Sequence, residues 1–269
     1  MKVRPLDKLV AMNTEYTLEN YRAYVIEALG TGDTALVTVT IDSKTCGYLL
    51  TEVAPLRKNT VNFGGPLPLG RLFLVVPPQK VYKFSGTAGQ FVRIKGRILE
   101  LGVGESLPSD LLARFQAQTE EFLRCVEGSD VSTGTAMADG VEVELYALTP
   151  TSIERYLFND RALVNQVAAG SPAEAEGNIG VRPYIDGAPQ DHVLSASGRR
   201  GIDRMTMEIP NTTANKSLDP FNLEGSPIEV GGDHTLSVKA MNVSGGSLFG
   251  TTAAQFHFYG VAEYKKVGR

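Results

Sequence analysis

Apolar and polar residues alternate with a period of two along most of this chain. Val37, Val39 and Ile41 fall on one side of a segment whose other side carries Thr38 and Thr40. Val141, Val143 and Leu145 alternate with Glu142, Glu144 and Tyr146, and Met205, Met207 and Ile209 with Thr206 and Glu208. Further on, Leu236, Val238 and Ala240 alternate with Ser237, Lys239 and Met241. In the last such segment Phe256, Phe258 and Ala262 alternate with Gln255, His257, Tyr259 and Glu263. Successive side chains of a strand point to opposite faces, so each segment is expected to be a strand with one core face. Turn residues punctuate them at Asp139-Gly140, Asp186-Gly187, Gly231-Gly232 and Gly245-Gly246. The expected fold is all-β, of jelly-roll or sandwich type. Leu236, Val238, Phe256 and Phe258 are expected in its core, with His257 on the opposite face.

Two windows carry helical spacing instead. Leu111, Leu112, Phe115, Thr119, Phe122, Leu123 and Val126 recur every three or four residues, between Pro108 and Gly128. Thr151 and Glu154 have the spacing of a capping box, followed by Ile153, Tyr156, Leu157, Val164 and Val167 and closed by Gly170. Inserted amphipathic helices are therefore expected near 108–127 and 151–169. This divides the chain into an N-terminal β-rich region (1–105), a helix-containing connection with one strand (106–170) and a C-terminal β-sandwich region (171–269). The pattern leaves one barrel or two open. Residues 169–178 are small and polar and suit a mobile loop. Within 90–101, Val92, Ile94 and Ile98 share a face, Arg93, Lys95 and Arg97 share the other, and Gly96 marks a bulge or a close backbone approach. Pro77-Pro78 is expected to hold a stiff extended corner.

Composition narrows the class. The chain has 269 residues, 42% of them apolar, and a formal charge of −4. It can bury a real core, and it lacks the clustered cations by which proteins neutralise nucleic-acid phosphates. Residues 1–10 carry charges and a proline where a secretion signal would be apolar, so synthesis and folding inside a cell are expected. The longest apolar run, 72–76, is far short of the roughly 20 residues that span a bilayer. Cys46 and Cys125 are expected to be buried thiols.

Chemistry-bearing motifs do not assemble. Gly30-Thr31-Gly32-Asp33-Thr34-Ala35 fits a loose dinucleotide pattern, but alternating Val and Thr follow it where a helix is required, so it reads as a turn between strands. His192, His234 and His257 stand in no metal-ligand spacing and are expected in ordinary surface or satisfied roles. Glu142 and Glu144 alternate with core residues and are expected to face water rather than flank a cleft. Asn211, Asn215 and Asn242 head glycosylation-type triplets and are expected in loops. No residue is assigned a catalytic, cofactor-binding or metal-binding role, and no cofactor is expected.

The segments 72–86 (LFLVVPPQKVYKFSG) and 231–246 (GGDHTLSVKAMNVSGG), with the chain's size and β character, resemble the single-β-barrel major capsid proteins of internal-membrane icosahedral viruses of Thermus and halophilic archaea. The resemblance implies a virion coat subunit, made in host cytoplasm, that self-assembles or joins a second coat protein. It further implies contact with an internal viral membrane and no direct contact with nucleic acid. The competing reading is a non-catalytic β-sandwich recognition module for a carbohydrate or protein. Aromatic residues gathered on one exposed face would favour it.

Overall fold

The alternating segments form strands. The computed structural model describes residues 1–56, 65–132, 137–159, 162–168, 179–190, 227–242, 244–248 and 254–267, with 129–132, 162–168, 179 and 254–256 described by backbone alone. The expected strand at Met205–Ile209 and the loop at 169–178 lie outside the described residues. By its contacts the chain forms two compact units. One is Met1–Cys125 with Glu263–Lys265; the other is Val126–Ala262 with Lys266–Arg269.

The first unit contains β1 (Lys2–Ala11), β2 (Tyr16–Thr17), β3 (Arg22–Thr31), β4 (Val37–Ile41), β5 (Lys44–Leu49), β6 (Leu67–Pro68), β7 (Leu74–Val76), β8 (Val81–Ser85) and β9 (Phe91–Glu100). Helix α1 (Ser109–Ala117) and the first part of β10 (Glu121–Ser132) follow. One sheet has the order β1-β9-β3-β6, with β7 also on β3. The other has β2, β8, β4 and β5 side by side, with β10 parallel to β5 at Arg124↔Tyr48. Residues 23–26 of β3 (AYVI) are buried without interruption because both faces of their sheet are covered. Tyr24 turns toward the second sheet, 5.9 Å from the ring of Tyr82, which itself stacks on Tyr16 at 5.4 Å and meets Phe84 edge-on at 6.2 Å. Ala23 and Val25 turn the other way, into a cluster with Val75, Leu99, Leu107 and Leu111 beneath α1.

Gly96 is a close approach, as expected. A Cβ there would lie 2.0 Å from the carbonyl oxygen of Val25, opposite a register shift between Ile26 and Ala28. Val92 and Ile94 are buried as expected, but Ile98 is only half-buried. Leu99, on the opposite face, is buried because α1 covers that end of the sheet. Pro77 and Pro78 do not form an extended corner. Lys80 N–H donates to Pro77 C=O at 3.2 Å, and Gln79 has φ 63°, so the chain reverses there in a tight turn.

The second unit contains the rest of β10 and β11 (Glu142–Leu148), β12 (Glu154–Phe158), β13 (Ala162–Ala168), β14 (Ile179–Ile185), β15 (Ala188–Pro189), β16 (Ile228–Gly231), β17 (Leu236–Asn242) and β18 (Ala254–Lys266), whose residues 263–265 belong to the first unit. One sheet runs β11-β17-β14-β15; in the other β12 lies between β16 and β18, and β13 also pairs with β18. Leu236, Val238 and Phe258 are buried as expected, while the Phe256 side chain is outside the described residues. Tyr146 departs from its expected face. A bulge between Glu144 and Tyr146 brings it level with Val238, and its ring stacks on Phe258 at 5.3 Å.

The two expected helices are corrected. The first begins as expected but ends at Ala117, and Phe122, Leu123, Cys125 and Val126 lie on β10. All four are buried. A short apolar run covered on both faces has no readable period, and its three- and four-residue spacings are coincidental. Gly128 is no helix stop: a Cβ there would meet Leu145 O at 2.2 Å. The second helix is absent, and β12 and β13 occupy its described residues. The Glu154 carboxylate does accept hydrogen bonds from the N–H and hydroxyl of Thr151, each at 3.1 Å. They close a turn that opens onto a strand, since Tyr156 and Phe158 are buried with period two and β12 pairs with β16.

Candidate functional site

Most of the residues singled out from sequence are spent on holding loops and sheets. Gly30-Thr31 ends β3 and the following residues turn toward β4, as expected of a strand-to-strand turn. A Cβ on Gly30 would meet Pro55 O at 2.3 Å. Asp33 in this turn is 2% exposed. Its carboxylate accepts from Ala35 N–H at 3.0 Å and from Thr87 N–H at 2.5 Å, joining the loops that flank β4 and β9. Burial alone would raise the Asp33 pKa, but the backbone donors of Thr87, Ala35 and Thr34 outweigh it and hold the carboxyl below its usual value. A carboxyl depressed by folding stabilises fully above its unfolded value, about 3.9, and loses that contribution as pH falls through the folded value. The melting temperature is therefore expected to fall as pH is lowered below about 4. Asp33→Asn should lower it at pH 7 and shrink the acid drop, as read by calorimetry across a pH series. An unchanged acid profile in the variant would remove Asp33 from this role.

Two of the three cations of the strip, Arg93 and Arg97, are taken by carboxylates. Asp7 accepts two bonds from the Arg93 guanidinium, both at 2.8 Å, and Glu27 pairs with Arg97 at 2.8 Å. Glu142 and Glu144 are likewise engaged on their sheet. The Tyr184 hydroxyl donates to Glu142, Lys239 approaches the same carboxylate at 3.5 Å, and Ser237 donates to Glu144 at 2.5 Å. Glu142 is half-buried in this network, so only Glu144 is exposed as expected. His234 is exposed and its Nδ1 lies 2.5 Å from Asp186, whose other oxygen accepts from Thr235 N–H at 2.8 Å. His257 is half-buried beside Tyr259, at 6.0 Å with nearly parallel rings, and burial lowers its pKa. His192 lies outside the described residues, as do Asn211 and Asn215. Cys46 and Cys125 are buried and not joined in a disulfide, and burial pushes the Cys46 thiol up to about 11.

Asn242 overturns the loop expectation. It is the last residue of β17 and 0% exposed. Its amide donates to Met137 O at 2.6 Å and Gly246 O at 2.7 Å, and its side-chain oxygen accepts from Ser244 N–H at 2.9 Å. Such a side chain serves the loop ends and is closed to modification. Gln118 is a second buried amide that sequence reasoning missed. At 1% exposure it accepts from Val75 N–H at 2.8 Å and donates to Val75 C=O at 3.1 Å. It thereby stands in for a strand along the outer edge of β7. Arg114 adds bonds to the carbonyls of Phe73, Leu72 and Glu121. A polar side chain one position past an amphipathic helix carries no sequence signal of this role.

What remains available to a partner is surface. At the other edge of the same sheet, β1 pairs only with β9 among the described residues, and it is blunted by Pro5, Lys2, Arg4 and Lys8. Large apolar side chains are exposed on this unit at Val3, Leu9, Tyr21, Phe91 and Val103. A cavity of about 660 Å³ is lined by Asp7, Leu9, Leu56 and Arg93. Among the described residues no three His, Cys, Asp or Glu side chains converge as metal ligands, and no helix is long and apolar enough to cross a membrane.

The fold is a mainly β one, with sheets consistent with a sandwich or jelly roll. No family model matches the chain, and no curated protein does. Among solved structures it is similar to the major capsid protein P2 of bacteriophage PM2, at 13% identity over 95% of this chain and 98% of that one, with a TM-score of 0.26. It is also similar to the capsid of the virus PBCV-1, at 9% identity over 97% and 94%, with a TM-score of 0.28. Likeness at this level assigns no role to any residue.

Proposed function

We propose that this chain is a structural subunit of a viral capsid that works by contact with copies of itself and with a second coat protein, and that turns over no substrate. The observation that carries the reading is the first unit's surface. Val3 and Leu9 on β1, Phe91 on β9 and Val103 after β9 hold large apolar side chains in water, three of them on regular strands. Exposed apolar groups on ordered elements mark contact surfaces. The capsid setting comes from the resemblance of 72–86 and 231–246, and with it location in the virion. Light scattering over a concentration series of the purified chain tests the self-contact. A mass rising to a defined multiple of 29.0 kDa supports it; a constant monomer mass at every concentration, alone and with a co-expressed second coat protein, opposes it.

The cavity beside Leu9 and Arg93 supports the second reading, a recognition module. Its volume is that of a small-ligand site. Saturable thermal stabilisation by a sugar, lost in Arg93→Ala, would favour that reading.

A further inference from the structure

We propose that the end of the first unit around Val103 is a contact between two copies of this chain related by a two-fold axis. The inference rests on the self-assembly reading and names one of its surfaces. Val103 lies in the connection from β9 to α1 and is fully exposed. The turn beneath it is locked. The Glu105 carboxylate accepts from Gly102 N–H at 2.6 Å, Glu105 N–H donates to Gly102 C=O at 3.1 Å, and Gly104 takes φ 81°. An apolar knob already ordered in the unbound chain loses little conformational freedom on docking. Two more exposed apolar groups belong to the same end. Val3 pairs across strands with Leu99, and the Tyr21 carbonyl accepts from Leu101 N–H at 2.7 Å.

The charges around this end select the occupant. Arg4 pairs with Glu100 at 3.1 Å, and Arg22 reaches Glu19 at 3.5 Å and Glu100 at 3.9 Å. These cations are neutralised within the chain, and the cation left over, Lys2, is balanced by the equally unpaired Asp110, so the end carries no net positive charge to draw an anionic lipid surface or a nucleic acid. At this end two exposed charges have no ion-pair partner among the described residues: Lys2 at the start of β1 and Asp110 in the first turn of α1. They have opposite sign. A two-fold contact repeats one patch against itself, so Lys2 of each copy can face Asp110 of the other while the two Val103 side chains meet near the axis.

The test is sedimentation equilibrium of the full chain as wild type, Val103→Asp, Lys2→Glu, and the double swap Lys2→Glu/Asp110→Lys. All these positions are exposed, so folding should be unaffected, and matching circular dichroism melts verify that. Association is expected to weaken about tenfold or more in Val103→Asp and in Lys2→Glu, and the double swap should recover most of the loss. If wild type associates and Val103→Asp associates equally, this contact is wrong while the assembly reading stands. Loss without recovery in the swap removes the Lys2–Asp110 pairing and with it the two-fold arrangement. Monomers throughout would remove this contact and the self-contact part of the assembly reading, and Val103-dependent flotation on anionic vesicles without self-association would replace the second copy by lipid.

Discussion

Phe258→Ala should destabilise the protein by about 3–5 kcal/mol, the range for deleting a buried aromatic ring. Phe258 is 3% exposed, is stacked on Tyr146 and sits opposite Val164 in the β13–β18 register. The ring fills the space between the two sheets of the second unit, and its removal ends that stack and leaves a cavity there. His257→Ala, one residue away on the opposite face, should cost much less, because its half-buried ring contributes mainly a stacking contact with Tyr259. Chemical unfolding of both variants, followed by circular dichroism, compares them directly. Equal losses would mean that β18 is covered equally on both faces.

Gln118→Ala should be the most damaging polar substitution, at about 2–6 kcal/mol. It strands the N–H and C=O of Val75 without partners, each a loss of roughly 1–3 kcal/mol when buried. Gln118→Glu separates hydrogen bonding from volume. It keeps the size and the acceptor for Val75 N–H but sets a carboxylate oxygen against Val75 C=O, so at neutral pH it should be no better than alanine. A melting temperature for Gln118→Glu equal to wild type would show that the edge of β7 does not depend on this amide.

The strands were legible where one face is buried and the other wet. Val37–Ile41 and Leu236–Asn242 alternate in burial residue by residue, and that is the arrangement a period of two reports. Reading failed where both faces are covered. Phe122, Leu123, Cys125 and Val126 are all buried on β10, and their spacing imitated a helix. It failed again at Tyr146, because a bulge moves every later residue to the other face and leaves no mark in composition. The Thr151–Glu154 pair shows a third limit. Its hydrogen bond is real, yet the same bond closes a turn before a strand, and the choice between them is made by the partner strand β16, far away in sequence. The candidate surface was the least legible part. Val3, Tyr21 and Val103 gain meaning only when β1, the residues before β3 and the loop after β9 are brought to one end of a sheet, while Gln118 and Asn242 look like any surface amide until their burial is known.

The central claim is that this chain acts by repeated contact between copies. Negative-stain electron microscopy of the full chain, concentrated at physiological salt, tests it most directly. The account expects defined oligomers, sheets or closed shells in the wild type, reduced to small species by Val103→Asp. Dispersed single subunits of 29.0 kDa at every concentration, with and without the second coat protein, would contradict it.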